Sequence, residues 1–288
     1  MTIRRESVTC SLLNAPGVWQ SDNVTAPSPP VPGADRTTRA RLWWEIAIVL
    51  SITLGQSALY SVLRLVRRLL SPTPLGQQQT QLNPSRDEAA VWDALYQVLD
   101  IVFDLALVAL VVYLLWEPGT NALRRIGLDF TRFGGDLARG VLVTAVIGIP
   151  GLALYAVGRL WGFSVAVVAS PLDAAWWTVP ILLFAAVRAA LLEEVIMLGW
   201  LYDRLRRLGW GWWPIIVSSA VLRGAYHAYQ GVGGMVGNFV MGLVFGWCYR
   251  RWGRVMPLVV AHTILDVVSF VGYPLAAALW PAVFAPVA

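Results

Sequence analysis

LLEEVIMLGWL, residues Leu191–Leu201, is the stretch that decides the fold. It sets two adjacent carboxylates, Glu193 and Glu194, in the middle of an apolar run. A charged side chain at the centre of a bilayer costs about 3 kcal/mol on insertion scales, so such residues are rare in membrane spans and usually mark a function. The stretch therefore predicts a membrane-embedded helix that forms one wall of a polar site.

The composition indicates a membrane protein around this stretch. The 288 residues are 57% hydrophobic and 14% charged, whereas a soluble domain carries about 25% charged residues. The formal charge is +5, but the arginines stand in short clusters between apolar runs, as the positive-inside rule describes. We therefore expect membrane lipids as partners and no nucleic acid. Cys10 and Cys248 have neither a disulfide pattern nor a zinc-binding spacing.

The apolar runs predict an all-α fold, a polytopic transmembrane helical bundle that crosses the cell membrane about seven to eight times. Residues 1–40 are polar and contain a Pro-rich run, which predicts a disordered cytoplasmic tail, and residues 41–288 form the expected bundle. The expected spans lie at about 43–63, 95–115, 141–160, 179–200, 212–228, 233–249 and 255–271, and an eighth apolar run at 273–287 contains three Pro.

Arginine clusters give the orientation of these spans. The clusters at 124–139, 204–207 and 250–254 alternate with weakly charged loops and place the N-terminus in the cytoplasm. The cluster at 64–68 is the one that disagrees with this assignment.

Two later apolar segments carry the two histidines of the chain. Arg223 and His227 are four residues apart on one segment, and His262 and Asp266 have the same spacing on the other. Residues at this spacing share a face of a helix. Together with Glu193, these polar faces on three expected spans predict one buried site.

Two kinds of chemistry suit these side chains. A glutamate and a histidine could deprotonate a water for attack on an amide carbonyl, while His262 with Asp266 could donate to the developing oxyanion. Alternatively, Glu193, His227 and His262 could ligate a zinc ion whose bound water is the nucleophile. The sequence contains no HExxH motif to support the zinc alternative.

The ordered set of polar motifs resembles that of the CPBP family of intramembrane metalloproteases, which includes the CAAX prenyl proteases and the bacteriocin-processing, Abi-type proteins. The resemblance covers about residues 120–272, which we expect to be the protease core. The family's motifs EExxxR followed by glycine, FxxxH, and HxxxN or HxxxD are matched in that order at Glu193, Glu194 and Gly199, at His227, and at His262 and Asp266.

The resemblance implies an intramembrane CAAX-type endopeptidase, metallo- or glutamate-dependent, that acts on a membrane-associated protein or peptide substrate, prenylated or not. Glu193 and His227 would activate the water, His262 and Asp266 would support the oxyanion or a metal such as zinc, and Glu194 would help to hold the site. A catalytically inactive membrane scaffold or immunity-type protein with the same fold is the alternative. A proton or solute transporter is a third hypothesis, because buried Glu and His also build proton relays.

Two positions depart from the family's motifs. Leu198 stands where the family has Arg, and Arg223 stands where it has Phe. A buried carboxylate without a partner is costly, so we expect Glu194 to pair with Arg223, which would supply from the neighbouring helix the cation that the first motif lacks. An Arg223 that faced lipid would instead favour the inactive scaffold.

Overall fold

The computed structural model describes residues 36–168, 176–272 and 279–280, and these residues are helical except for short loops and one two-stranded sheet. The all-α prediction is therefore confirmed. Helix α1 begins at Arg36, five residues before the predicted end of the tail, and the rest of the tail lies outside the described residues. Most of the eighth apolar run, 273–287, lies outside them too.

The first predicted span is built from two helices, α1 (Arg36–Ser51) and α2 (Leu54–Leu69), which are bent by 52° where they meet. Glycine allows this bend, because a Cβ atom at Gly55 would lie 2.6 Å from the carbonyl oxygen of Leu50. The predicted span over 43–63 therefore corresponds to two helices with a bend between Ser51 and Leu54.

Helices α3 (Ala90–Leu115) and α5 (Phe133–Leu160) and the segment 228–252, which is mostly α9 (Gly231–Trp252), are each long and apolar enough to cross a membrane. The bent pair raises the count in the described residues to four if it is one span. The other predicted spans are shorter or interrupted, and they carry the polar residues of the expected site. They are α6 (Thr178–Glu194), followed by a π-helical segment (Val195–Leu201) and α7 (Tyr202–Arg207), then α8 (Trp212–Tyr226) and α10 (Met256–Val267), which continues as a π-helical turn to Gly272.

One end of the bundle is tied together by charged side chains, and we call it the α7 end. Arg125 of the short helix α4 (Ala122–Arg125) pairs with Asp203 of α7, and Asp203 also accepts from Arg204 Nη1 at 2.6 Å. Glu45 of α1 accepts from Arg204 Nε at 2.6 Å. Arg207 of α7 pairs with Glu117, which follows α3. Glu45 of α1, helix α4 and the ends of α3 and α7 therefore lie at the same end of the molecule.

The opposite end contains the sheet, and we call it the sheet end. Strand β1 (Gln79–Gln81) pairs in parallel with β2 (Ala166–Val168), which follows the 28-residue helix α5. Arg68, at the end of α2, donates to the carbonyl oxygen of Gln79 at 3.0 Å. Since Glu45 of α1 contacts the α7 end and Arg68 of α2 contacts the sheet end, the bent pair reaches from one end of the bundle to the other. The arginine cluster at 64–68 thus lies at the end opposite the other clusters.

A second ionic cluster holds the turn between α9 and α10 against the loop before α5. Gly253, with φ of 64°, ends α9 in the left-handed conformation that glycine favours. Arg254 then donates through Nε and Nη2 to the fully buried Asp136, at 3.0 and 2.7 Å, and through Nη2 to Asp129 at 3.1 Å. Burial would raise the pKa of the Asp129 carboxyl, but hydrogen bonds from Arg254 and Thr131 lower this pKa to about 2.

Helix α6 and the π-helical segment that follows it lie at the centre of the molecule. α3 and α10 pack on α6, α8 packs on α9, and α2 packs on α8. All seven residues of the π-helical segment are buried, and the six other than Gly199 are at most 4% exposed. The carboxylates that precede this segment are therefore held by the most enclosed part of the fold.

Candidate active site

Glu193 and Glu194 are the last two residues of α6 and stand directly before the π-helical segment. Such segments are frequently found at functional sites. Neighbouring residues on a helix point about 100° apart, and the two carboxylates accordingly have different surroundings. The Glu194 side chain is fully buried, whereas 13% of the Glu193 side chain is exposed.

The predicted ion pair between Glu194 and Arg223 is present. Arg223 Nη2 donates to Glu194 Oε1 at 2.6 Å, and the Arg223 side chain is only 2% exposed. The other terminal nitrogen, Nη1, lies 3.5 Å from Glu193 Oε2, so one guanidinium faces both carboxylates. The ring of Phe245 stacks under the guanidinium at 5.3 Å. Leu198, at the position of the family's arginine, is 2% exposed and belongs to the apolar core.

His262 of α10 lies between two carboxylates. Its Nδ1 is 2.7 Å from Glu194 Oε1, and its Nε2 is 3.6 Å from Asp266 Oδ2. The imidazolium form, which has an N–H on each nitrogen, suits this arrangement. A distance of 3.6 Å is too long for a hydrogen bond, so the N–H at Nε2 stays available to another acceptor.

His227 lies at the C-terminal end of α8, where the helix turns toward α9. Its Nδ1 is 3.2 Å from the carbonyl oxygen of Arg223, and its ring lies 4.7 Å from the ring of Tyr226. A donor at Nδ1 leaves Nε2 as the basic nitrogen. His227 also interacts electrostatically with Glu193.

Tyr226 was missed by the sequence analysis. Its hydroxyl donates to Glu193 Oε2 at 2.6 Å, and the residue is 4% exposed. The available signal was its position three residues after Arg223, which brings both side chains to one side of α8. Tyrosines are common in membrane proteins as interfacial anchors, so the sequence alone did not distinguish this one.

Glu193, Glu194 and His262 form a grouping that could hold a metal ion, since each offers a ligand atom within 4.8 Å of the others in the described part of the chain. This grouping shares Glu193 and His262 with the predicted zinc ligands but has Glu194 in place of His227. The surrounding chemistry nevertheless does not suit zinc. Oε1 of Glu194 already accepts from Arg223 and His262, and the guanidinium is a permanent cation.

The polar atoms of the site that form no hydrogen bond also argue against a metal ion. Among the described residues, Glu194 Oε2 and Arg223 Nη1 are buried and take part in no hydrogen bond. The first is an acceptor and the second a donor, on side chains that are already joined. A metal ion would satisfy the carboxylate oxygen but would be repelled by the guanidinium. The grouping of Glu193, Glu194 and His262 therefore does not suit a metal ion while Arg223 is in place.

Comparison with known proteins bears on the segment that holds these residues. Residues 175–268 match the family described as Type II CAAX prenyl endopeptidase Rce1-like. The match covers roughly a third of the chain and contains all three motifs of the site. No curated protein and no solved structure matches the chain. By this match and by the order of its motifs, the segment that carries the site is similar to the CAAX protease family.

Proposed function

We propose that the chain is an intramembrane endopeptidase that hydrolyses a peptide bond of a membrane-associated protein or peptide, prenylated or not, with Glu193 as the base that activates water. The observation that carries this proposal is the unequal environment of the two adjacent carboxylates. Glu194 is buried and bound by Arg223 and His262, whereas Glu193 is partly exposed. A general base has to reach a water, and Glu193 can do so while the 2.6 Å ion pair of Glu194 stays intact.

His227 is the second group that would hold the attacking water, through its basic Nε2. Glu193 takes a proton from this water as the hydroxide attacks the carbonyl carbon of the scissile amide, and a tetrahedral oxyanion forms. The C–N bond then breaks, and protonated Glu193 gives its proton to the leaving amine. The carboxylate is thereby restored for the next cycle.

His262 is suited to stabilise the oxyanion. Asp266 and Glu194 on either side favour its imidazolium form, and the N–H at Nε2 has no close acceptor in Asp266 at 3.6 Å. One donor directed at an oxyanion is worth about 3 kcal/mol in related hydrolytic sites. The cation that neutralises the carboxylates in this mechanism is Arg223, and no metal is required.

We further propose that the protein is multi-pass in the cell membrane, with about seven to eight spans, and that its substrate enters the site from the bilayer. Within the part of the chain that the structure describes, length and hydropathy support three or four spans. The remaining crossings would be α6 with α7, α8 and α10. Large apolar side chains face outward on several helices and suit contact with lipid, as at Phe103, Ile149 and Phe184, which are 66%, 71% and 64% exposed.

The test is cleavage of fluorogenic peptides, prenylated and unprenylated, by the purified protein in liposomes. Glu193→Gln and His227→Ala should each lower kcat by at least a hundredfold, the scale of a lost general base. Glu88→Gln is the matched control, because Glu88 is an exposed loop carboxylate. Full activity in both site variants would refute the mechanism, and a folded wild-type protein that cleaves none of the peptides would favour the inactive scaffold.

A further inference from the structure

The hydroxyl of Tyr226 makes a contact that packing alone does not require. A phenylalanine would fill the same buried volume, but it could not donate the 2.6 Å hydrogen bond to Glu193 Oε2. Tyr226 lies between Arg223 and His227 in sequence, yet none of the three motifs includes it. Its contact therefore calls for an explanation of its own.

The two carboxylate oxygens of Glu193 differ in their hydrogen bonding. Oε2 accepts from Tyr226 and lies 3.5 Å from Arg223 Nη1. Oε1 accepts no hydrogen bond from any residue that the structure describes. A carboxylate held by one oxygen has little freedom to rotate, so its second oxygen keeps a fixed direction.

Tyr226 is itself held from several sides. Ser61 Oγ of α2 donates to the carbonyl oxygen of Tyr226 at 2.9 Å, which fixes the last turn of α8 against α2. The ring of His227 packs on the tyrosine ring at 4.7 Å. A hydroxyl on a fixed ring can hold its acceptor in one position, as a group in a catalytic arrangement has to.

We infer that Tyr226 is a positioning residue for the reaction: it binds Oε2 of Glu193 and thereby directs Oε1 toward the attacking water. This inference rests on the proposed role of Glu193 as base. Tyr226 does not touch the substrate and exchanges no proton with it.

The test compares Tyr226→Phe with a matched control, Tyr202→Phe. Tyr202 is also buried, and its hydroxyl bonds to Ser219 Oγ at 2.9 Å, among residues that belong to none of the three motifs. Each variant loses one hydroxyl and one hydrogen bond. The readouts are kcat, KM and the pH profile of kcat/KM, with each profile normalised to its own maximum, so that a smaller folded fraction does not change its shape.

Tyr226→Phe should lower kcat roughly tenfold, the rate equivalent of one net hydrogen bond, with KM unchanged. A carboxylate that loses a donor becomes more basic, so the acid limb of the profile should move to higher pH. Tyr202→Phe should keep the wild-type profile. Both variants leave in place the other charged and titratable groups that face Glu193. These groups are Glu194 of α6, Arg223 of α8, His227 at the C-terminal cap of α8, Tyr229 in the turn before α9, and His262 and Asp266 of α10.

The outcomes separate this inference from the proposed function. If Glu193→Gln is inactive and Tyr226→Phe keeps the wild-type kcat and normalised profile, the positioning role is refuted and the base is not. Equal losses in both tyrosine variants with unshifted profiles would indicate a structural role and would also refute it. If Glu193→Gln retains full activity, the proposed function fails and the positioning role fails with it.

Discussion

Arg223 is the residue whose replacement tests the electrostatics of the site most directly. In Arg223→Phe, the position regains the family's residue, while Glu194 loses its cation and stays fully buried. In Leu198→Arg/Arg223→Phe, the first motif regains its arginine four residues after Glu194, where i, i+4 side chains meet. We expect the single variant to be strongly destabilised and the double variant to recover part of that loss.

The magnitude follows from the burial of the pair. Removing one partner of a buried ion pair costs about 3–5 kcal/mol, because the other charge is left uncompensated. The stacking on Phe245 adds about 1 kcal/mol. Leu198→Arg alone should also destabilise the protein, since it adds a second cation beside Arg223 in the apolar core. The double-mutant cycle should therefore give a coupling of at least 1 kcal/mol between the two positions.

The assay is unfolding of the four proteins of this cycle in mixed micelles, with peptide cleavage measured in parallel. Arg250→Met is the control for loss of an arginine, because Arg250 is exposed and only stacks on Trp212 and Trp213. Its free energy of unfolding should change by less than about 1 kcal/mol. If Arg223→Phe unfolds like the wild type, or if the coupling is zero, the exchange of the arginine between helices is the wrong explanation.

Three further predictions follow from individual contacts. Glu194→Gln should lower the free energy of unfolding by about 2 kcal/mol or more, since it removes the charge opposite a buried guanidinium. Glu193→Gln should abolish cleavage with a smaller loss of stability. Equal unfolding curves for the two variants would contradict this prediction. A chelator should leave cleavage unchanged, and metal analysis should give less than one ion per chain. Inhibition by the chelator that added zinc reverses would instead support the metal-dependent mechanism. Because the pKa of Asp129 is lowered in the folded protein, its ionised carboxylate stabilises the fold above pH 4. This stabilisation is lost as the pH falls toward 2. Asp129→Asn should therefore cost about 1 kcal/mol at neutral pH and nothing below pH 2, and a loss that persists in acid would rule out this charge as its cause.

The ion pair of the site could be predicted from the sequence because low dielectric leaves few alternatives. Glu194 needed a cation, and Arg223 was the arginine that shared a helical face with a motif histidine. The i, i+4 spacing likewise put His262 beside Asp266. The first constraint came from the cost of an unpaired charge in an apolar environment, and the second came from the geometry of the α-helix.

Other features could not be predicted, since no local pattern encodes them. The second contact of His262, to Glu194, depends on how α10 packs on α6, and the sequence carries no signal of that distance. The break after Ser51 involves neither a proline nor a polar run; Gly55 was the sole indication, and isolated glycines are frequent in membrane spans. The π-helical segment has the same residue types as an ordinary apolar helix. The number of spans was the most difficult feature to predict, because the helices that hold the site are short and interrupted.

The number of residues in the π-helical segment Val195–Leu201 determines how the side chains on either side of it are oriented. It holds more residues per turn than an α-helix, so it sets the rotational phase of α7 relative to α6. That phase lets the two glutamates point at α8 and α10 while Asp203 and Arg204 point at α4 and α1. Deleting any one of these seven residues would turn the two groups by about 100° relative to each other, so one of them would lose its partners. Tolerance of insertions and deletions should therefore reach its minimum here, in a segment that contains none of the charged residues it serves.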